Sequence, residues 1–334
     1  MNRKQAIIQK SLAIGAGRLI EIPKPLEQLS KSEMERKQCI SKLMTYVLKY
    51  LTYEFVDGGF EWLLPVIFSK STDPLWPDLG SSIEKRIEVE IYGKSLRTTL
   101  SMIVHKMVAC SLAYPKLFIL SPNIRIEKME RANSGIHAYE FTQLDFEVRN
   151  ATSKEIRSLV EKMICGLISD LKRHMNEELA YLGRNDSLKV PKTPFRVYDR
   201  KELEDNYGGR WEKQLIFETL NPVWVTNVPR EFYDFEDFEK GKWDNYDLLL
   251  PQYGEVLSGS RREWEYSKIV RKMERDDVRK ENYEVLLMLA KEGRLKPSAG
   301  AGIGIERLVS WIAGAKHIGE TQPFPKIPGI VYDL

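Results

Sequence analysis

From Tyr139 to Val148 the chain alternates with a period of two. Phe141, Gln143, Asp145 and Glu147 fall on one face, and Thr142, Leu144, Phe146 and Val148 on the other. That sorting requires an extended strand with an apolar layer beneath one side. Upstream, Asn123-Ile-Arg-Ile-Glu127 repeats the pattern, with Arg125 and Glu127 opposite Ile124 and Ile126. Two such strands give a sheet whose outer face carries an arginine, carboxylates and an aromatic ring. A planar guanidinium there can clamp a phosphate, a ring can stack on a base, and a carboxylate can hold an amino group. Read alone, the same pair is equally an ordinary hairpin with cross-strand ion pairs.

The rest of the chain supplies neighbours for that sheet. Ile40, Leu43, Met44, Val47, Leu51 and Phe55 recur at helical spacing after a Ser32-x-x-Glu35 capping pattern, which predicts a helix over Met34–Phe55. A second helix follows from Thr152-x-x-Glu155 and runs through Ile156, Val160, Ile164 and Leu171 to Leu182. Strands are predicted at Phe60–Pro65, Ile87–Ile91, Leu117–Leu120, Trp224–Thr226 and Tyr246–Leu250, with further helix between about 262 and 292. Residues 183–215, rich in proline, glycine and charge, read as an insertion or small subdomain. Strands and helices interleave without a βαβ rhythm. The fold class is therefore α+β, a mainly antiparallel sheet flanked by helices.

Charge and cysteine usage narrow the function. Fifty-one basic residues face 48 acidic ones, so no basic block points to sequence-independent nucleic-acid binding. Cys39, Cys110 and Cys165 form no CxxC, and His105, His137, His174 and His317 include no i, i+4 pair. These residues read as reduced thiols, without a helical zinc site. The N-terminal apolar stretch beyond Arg3 and Lys4 is cut by Gln9 and Lys10, and no run reaches membrane-spanning length, so a cytoplasmic protein is expected.

Two further stretches carry chemical potential. Asp247 to Glu263 places Glu255 and Ser258 three residues apart, hard oxygen ligands suited to Mg²⁺, before the paired Arg261 and Arg262. Alone it reads as a solvated turn before a helix. Gly300, Gly302 and Gly304 alternate ahead of Glu306 and Arg307, leaving one strand face open to a flat ligand or to close packing. Ile305 breaks a dinucleotide fingerprint, and Glu88 breaks a P-loop around Gly93-Lys94-Ser95.

In this order, Arg125-x-Glu127, a loop with His137 leading to Phe141, Glu255-x-x-Ser258-Gly259 and Gly300-x-Gly-x-Gly-x-Glu306-Arg307 resemble the catalytic core of class II aminoacyl-tRNA synthetases. The likeness is strongest to the aspartyl and asparaginyl enzymes. It divides the chain into an N-terminal extension (1–33) and a catalytic domain (34–334) with the 183–215 insertion. It implies that Arg125 grips the ATP α-phosphate and Arg307 the γ-phosphate end. Phe141 would stack on adenine, Glu127 would lie near its amino group and His137 near the terminal phosphates. Mg²⁺ would sit on Glu255 and Ser258, with Asp247 a weaker candidate. Lys106 and Arg262 would face a substrate carboxylate in a pocket shared with Ser101, Gln143 and Asp145, favouring aspartate. The Gly58–Pro65 segment resembles the family's first motif, which implies a homodimer.

Three departures accompany the likeness: Ile136 stands where an arginine is usual, Ile103 replaces a glutamine, and Gly319 interrupts an Arg-Asp pair. The 33 residues before Met34 are too few for the family's anticodon-reading β-barrel. The resemblance therefore points to the archaeal paralogues that act as asparagine synthetases. These adenylate the aspartate β-carboxylate and let ammonia displace AMP, with tRNA not expected as a partner. The other readings are an enzyme that activates aspartate and passes it to tRNA or another amine, and a non-catalytic regulatory dimer.

Overall fold

The computed structural model describes residues 20–74 and 83–334. The readings at Arg3, Lys4, Gln9 and Lys10 lie outside the described residues. A capping box opens the first long helix two residues earlier than the pattern suggests. Helix α1 (Lys31–Asp57) is capped by Ser30, whose hydroxyl accepts the Glu33 N–H at 3.3 Å while the Glu33 carboxylate accepts the Ser30 N–H at 2.7 Å. Both Ser30-x-x-Glu33 and Ser32-x-x-Glu35 satisfy the local rule. A 2.7 Å ion pair between Lys24 and Glu33 accompanies the earlier choice.

Eight strands form the main sheet: β1 (Glu61–Leu63), β2 (Lys116–Ile124), β3 (Glu140–Arg149), β4 (Arg196–Asp199), β5 (Val223–Thr226), β6 (Asn245–Leu250), β7 (Gly254–Arg261) and β8 (Ser298–Gly304). Their spatial order is β1-β2-β3-β8-β7-β6-β5-β4. The outermost pairs, β1 with β2 and β4 with β5, are parallel, and all inner pairs are antiparallel. Residues 196–199, expected within an insertion, are thus built into the sheet as an edge strand. The segment Asp247–Glu263 is also no solvated turn, because most of it lies in the central strands β6 and β7.

Helices cover both faces. On one side α1 presents Leu43, Val47, Leu51 and Phe55, and α3 (Ser153–His174) presents Val160, Ile164 and Leu167, to Phe118, Leu144, Phe146 and Ile303 of the sheet. Burying each such side chain stabilises the fold by about 1.5–3 kcal/mol. The predicted 152–182 helix breaks after His174, and a short helix (Asn176–Tyr181) resumes beyond Met175. On the other side, α2 (Ile103–Leu112) packs Ile103, Val104 and Met107 against Ile269 and Met273 of α6 (Tyr266–Arg275) and Leu286 and Leu289 of α7 (Glu284–Lys291). Two helices, α4 (Arg200–Tyr207) and α5 (Trp211–Glu218), follow the edge strand, and α8 (Ile305–Ala313) continues from β8 into the first layer. Among the described residues no helix is long and apolar enough to cross a membrane. The three cysteines are free, with Cys165 only half-buried.

Candidate active site

Two cavities meet on the sheet face that carries Gln143 and Asp145. One is lined by Arg125, Glu127, His137, Phe141, Glu255 and Arg307. The other holds Ser101, Lys106, Asp145, Arg230, Glu231 and Arg262. Arg125, Gln143, Glu255 and Gly302 line both.

In the first cavity the arginines are held by carbonyl oxygens. Arg125 follows the end of β2, and its Nε and Nη2 donate to the Leu100 carbonyl at 3.1 and 3.0 Å. Its guanidinium lies 5.2 Å from the Phe141 ring centroid. Arg307, in the first turn of α8, donates from Nη1 to the Glu255 carbonyl at 3.0 Å and from Nε to the Ile136 carbonyl at 3.2 Å. Its approach to the Glu255 carboxylate is longer, 3.5 Å. Both guanidiniums therefore keep most of their charge for an incoming anion. His137, expected near the terminal phosphates, carries no charge, because burial and then Arg307, Arg131 and Arg125 push its pKa down to about 2. It is a neutral imidazole. Glu306, part of the glycine-rich motif but given no role from the sequence, is buried with both oxygens 2.9 Å from the Thr142 N–H, and burial raises it to about 7.

The second cavity corrects the expectation of two cations waiting for a substrate. Lys106 is 1% exposed, and its ammonium donates to Asp145 Oδ1 at 2.9 Å and to the Ala301 carbonyl at 3.1 Å. Arg262 donates to Glu147 at 3.2 Å, to Asp234 at 2.8 Å and to the Gly300 carbonyl at 3.1 Å. Arg230 is tied to Asp247 at 2.6 Å. These pairings are non-local, so no spacing rule announces them. Donors still remain, since an ammonium has three N–H and a guanidinium five. Asp145 Oδ2 is buried without a hydrogen-bond partner, an acceptor left for a ligand. Glu231 also lines this cavity, and burial and then Asp73 raise its pKa well above the usual range. Ser101 accepts the Ile103 N–H at 3.3 Å, and Gln143 accepts an amide N–H of Asn123 at 2.6 Å.

The alternating glycines serve mainly the protein. A Cβ on Gly302 would stand 2.8 Å from Gln143 Nε2 and 2.9 Å from Asp145 Oδ1, so the glycine makes room for those side chains. At Gly304 the nearest atoms to a Cβ are 3.6 Å away, on Arg307 and Val256, so a side chain there would meet only ordinary contacts.

A bulge explains the Glu-x-x-Ser spacing. In β6 and β7 Leu248 pairs with Leu257 but Leu249 pairs with Glu255, which leaves Val256 as an extra residue. Val256 and Leu257 consequently both enter the apolar core. Glu255 and Ser258 then share the opposite face, where residues three apart in a regular strand would not. Partial desolvation and the Asp247 carboxylate raise the Glu255 pKa. A hard cation fits Glu255 and Ser258 once phosphate oxygens complete its shell. Asp247 fits less well because Arg230 already neutralises it. Among the described residues no three His, Cys, Asp or Glu side chains converge into a metal cage. A further carboxylate at the mouth, Glu212 of α5, has Oε1 3.5 Å from where a Gly254 Cβ would be, and is raised by desolvation and by Glu255.

The profile of the tRNA synthetases class II (D, K and N) matches residues 83–328. The asparagine–tRNA ligase of Thermoplasma acidophilum is 29% identical over 303 residues, 84% of this chain and 67% of that protein. That of Mycoplasma mycoides is 30% identical over 275 residues, 72% of this chain but 59% of that protein. The chain thus spans roughly two thirds or less of these relatives. Asparaginyl-tRNA synthetase from Pyrococcus horikoshii, complexed with asparaginyl-adenylate, superposes with a TM-score of 0.81 at 23% identity, covering 96% of this chain and 77% of that one.

Proposed function

This chain belongs to the class II tRNA synthetases of the D, K and N group, and from that membership we propose that it activates the α-carboxylate of aspartate with ATP. The observation that carries the reading is the junction of the cavities at Arg125. A nucleotide in the first cavity would place its α-phosphate there, beside an amino acid in the second.

A carboxylate oxygen of the amino acid attacks the α-phosphorus, the bond to the β-phosphate breaks, and pyrophosphate leaves. Arg125 neutralises charge on the α-phosphate and Arg307 orients the outer phosphates, with Phe141 against the base. Bound Mg²⁺, on Glu255 and Ser258, would supply charge neutralisation. Asp145 Oδ2 would accept from the substrate ammonium. The unspent donors of Lys106 and Arg262 suit a side-chain carboxylate, which only accepts, better than an amide, which also donates. Asparagine is the second reading. It is favoured by relatives named asparagine–tRNA ligases and by Glu231, a raised acid able to meet an amide.

Those relatives overturn the expectation of asparagine synthesis from aspartate and ammonia, and with it the exclusion of tRNA as partner. The acceptor of the activated amino acid is proposed to be the 3′ end of a tRNA, whose hydroxyl attacks the carbonyl and releases AMP. A homodimer through the β1 region is supported by exposed Trp62, Leu64, Ile67 and Phe68, Leu64 being 86% exposed.

The test is amino-acid-dependent exchange of pyrophosphate into ATP, followed by charging of tRNA. Exchange with aspartate and transfer to tRNA are expected. Exchange with asparagine alone moves the assignment to the second reading, and none with either removes the catalytic role.

A further inference from the structure

The loop between β2 and β3 contains a 3-10 turn (Met129–Ser134) that brings Arg131 onto His137. Arg131 Nη1 lies 2.8 Å from His137 Nε2, and His137 Nδ1 lies 2.5 Å from Ser134 Oγ. Ser134 Oγ in turn donates to the Arg131 carbonyl at 2.7 Å. An arginine has only donors, so Nε2 must offer its lone pair, and the single imidazole proton sits on Nδ1, directed at Ser134. Neither nitrogen then has an N–H for a phosphate. The depressed pKa of His137 agrees with this neutral tautomer.

The same loop also holds Arg307, through the Ile136 carbonyl at 3.2 Å. Residues 134–137 therefore hold two guanidiniums through uncharged groups, Arg307 by a carbonyl and Arg131 by a neutral ring, with the Glu127 carboxylate 4.0 Å from the same His137 Nε2. Position along the nucleotide follows from the cavities. Arg125 lines both and marks the α-phosphate, whereas His137 and Arg307 line only the first and lie toward the outer phosphates.

We infer that Arg131 is a third arginine of the triphosphate site, binding the terminal phosphates, and that His137 positions it as a hydrogen-bond acceptor. This assignment rests on the nucleotide reading of the first cavity but not on which amino acid is activated. Ile136, an aliphatic side chain in the same loop, cannot make such a contact, and Arg131 supplies the charge from within the 3-10 turn.

Calorimetric titration of the full chain with ATP, pyrophosphate and AMP tests it. Arg131→Ala is expected to weaken ATP and pyrophosphate about tenfold, the scale of one charge-assisted contact, and to leave AMP within about twofold. Arg131→Lys should recover part of the loss. His137→Ala should weaken ATP less than Arg131→Ala, and the double variant should be no weaker than Arg131→Ala, since the histidine acts through the arginine. Unchanged ATP affinity in Arg131→Ala, or an equal loss for AMP, overturns the assignment. If the unaltered protein binds neither ATP nor AMP, the nucleotide reading falls and takes this inference with it. Tight ATP binding without exchange for any amino acid would instead break only the proposed activation.

Discussion

The two cavities share a wall yet hold their cations by opposite means. In the cavity proposed for the nucleotide Arg125 and Arg307 are oriented mainly by backbone carbonyls of Leu100, Ile136 and Glu255. In the cavity proposed for the amino acid Lys106, Arg262 and Arg230 are oriented by Asp145, Glu147, Asp234 and Asp247. A carbonyl fixes a guanidinium without cancelling it, so the first arrangement is an anion receptor. A carboxylate fixes and neutralises, so the second is a rigid, charge-balanced mould whose remaining donors select shape. Removing a cation should therefore damage binding in one cavity and folding in the other.

The largest effect is expected from Arg262→Met. It would leave Glu147 and Asp234, both buried, without their main partner, at a cost of about 3–5 kcal/mol in urea unfolding. Adding Glu147→Gln should restore part of that stability. A stable Arg262→Met protein would show that Lys106, 3.8 Å from Glu147, takes over, and the contrast between cavities would fail. Arg125→Ala is the counterpart. Its urea midpoint should be nearly unchanged while pyrophosphate exchange falls about 10²–10³-fold. Loss of stability comparable to that of Arg262→Met would break the comparison from the other side.

Glu306 is a buried carboxylate of the first cavity, and a backbone N–H rather than a cation holds it. Its folded pKa of about 7 exceeds the ordinary 4.5, so the native state binds this proton more tightly than the unfolded chain. The group's stabilisation is complete below the ordinary value and is lost as pH rises through the folded one. Glu306→Gln has no such loss. Its stability relative to the unaltered protein should rise by about 3 kcal/mol from acid to pH 8, read from urea unfolding at a series of pH values. Parallel curves would mean that Glu306 is ionised in the fold.

Legibility in the sequence follows the range of each interaction. The two-faced strand was readable because alternation is local, and Leu144 and Phe146 are indeed wholly buried against the helices while Gln143 and Asp145 face the cavities. Arg125, Phe141 and Arg307 were readable as a set, and the structure brings them to one cavity. The start of α1 was misplaced because two overlapping patterns satisfy one capping rule. The pairing of Lys106 with Asp145 joins residues 39 apart and depends on how α2 lies over β3. Arg131 was invisible for a related reason: its contact with His137 exists only once the 3-10 turn closes, and nothing in the spacing marks it.

The smallest expected effect probes the bulge at Val256. Only that extra residue brings Ser258 to the side of Glu255, so the hydroxyl has a use there that a regular strand would deny it. Ser258→Ala removes one oxygen ligand worth about 1 kcal/mol, and should raise the Mg²⁺ concentration giving half-maximal exchange about fivefold, with stability unchanged. That result would place the metal at the junction, where the receptor cavity meets the balanced one. An unchanged Mg²⁺ dependence would leave the cation on Glu255 and phosphate oxygens alone. The bulge would then serve only to send both Val256 and Leu257 into the core, and the junction would belong wholly to Arg125.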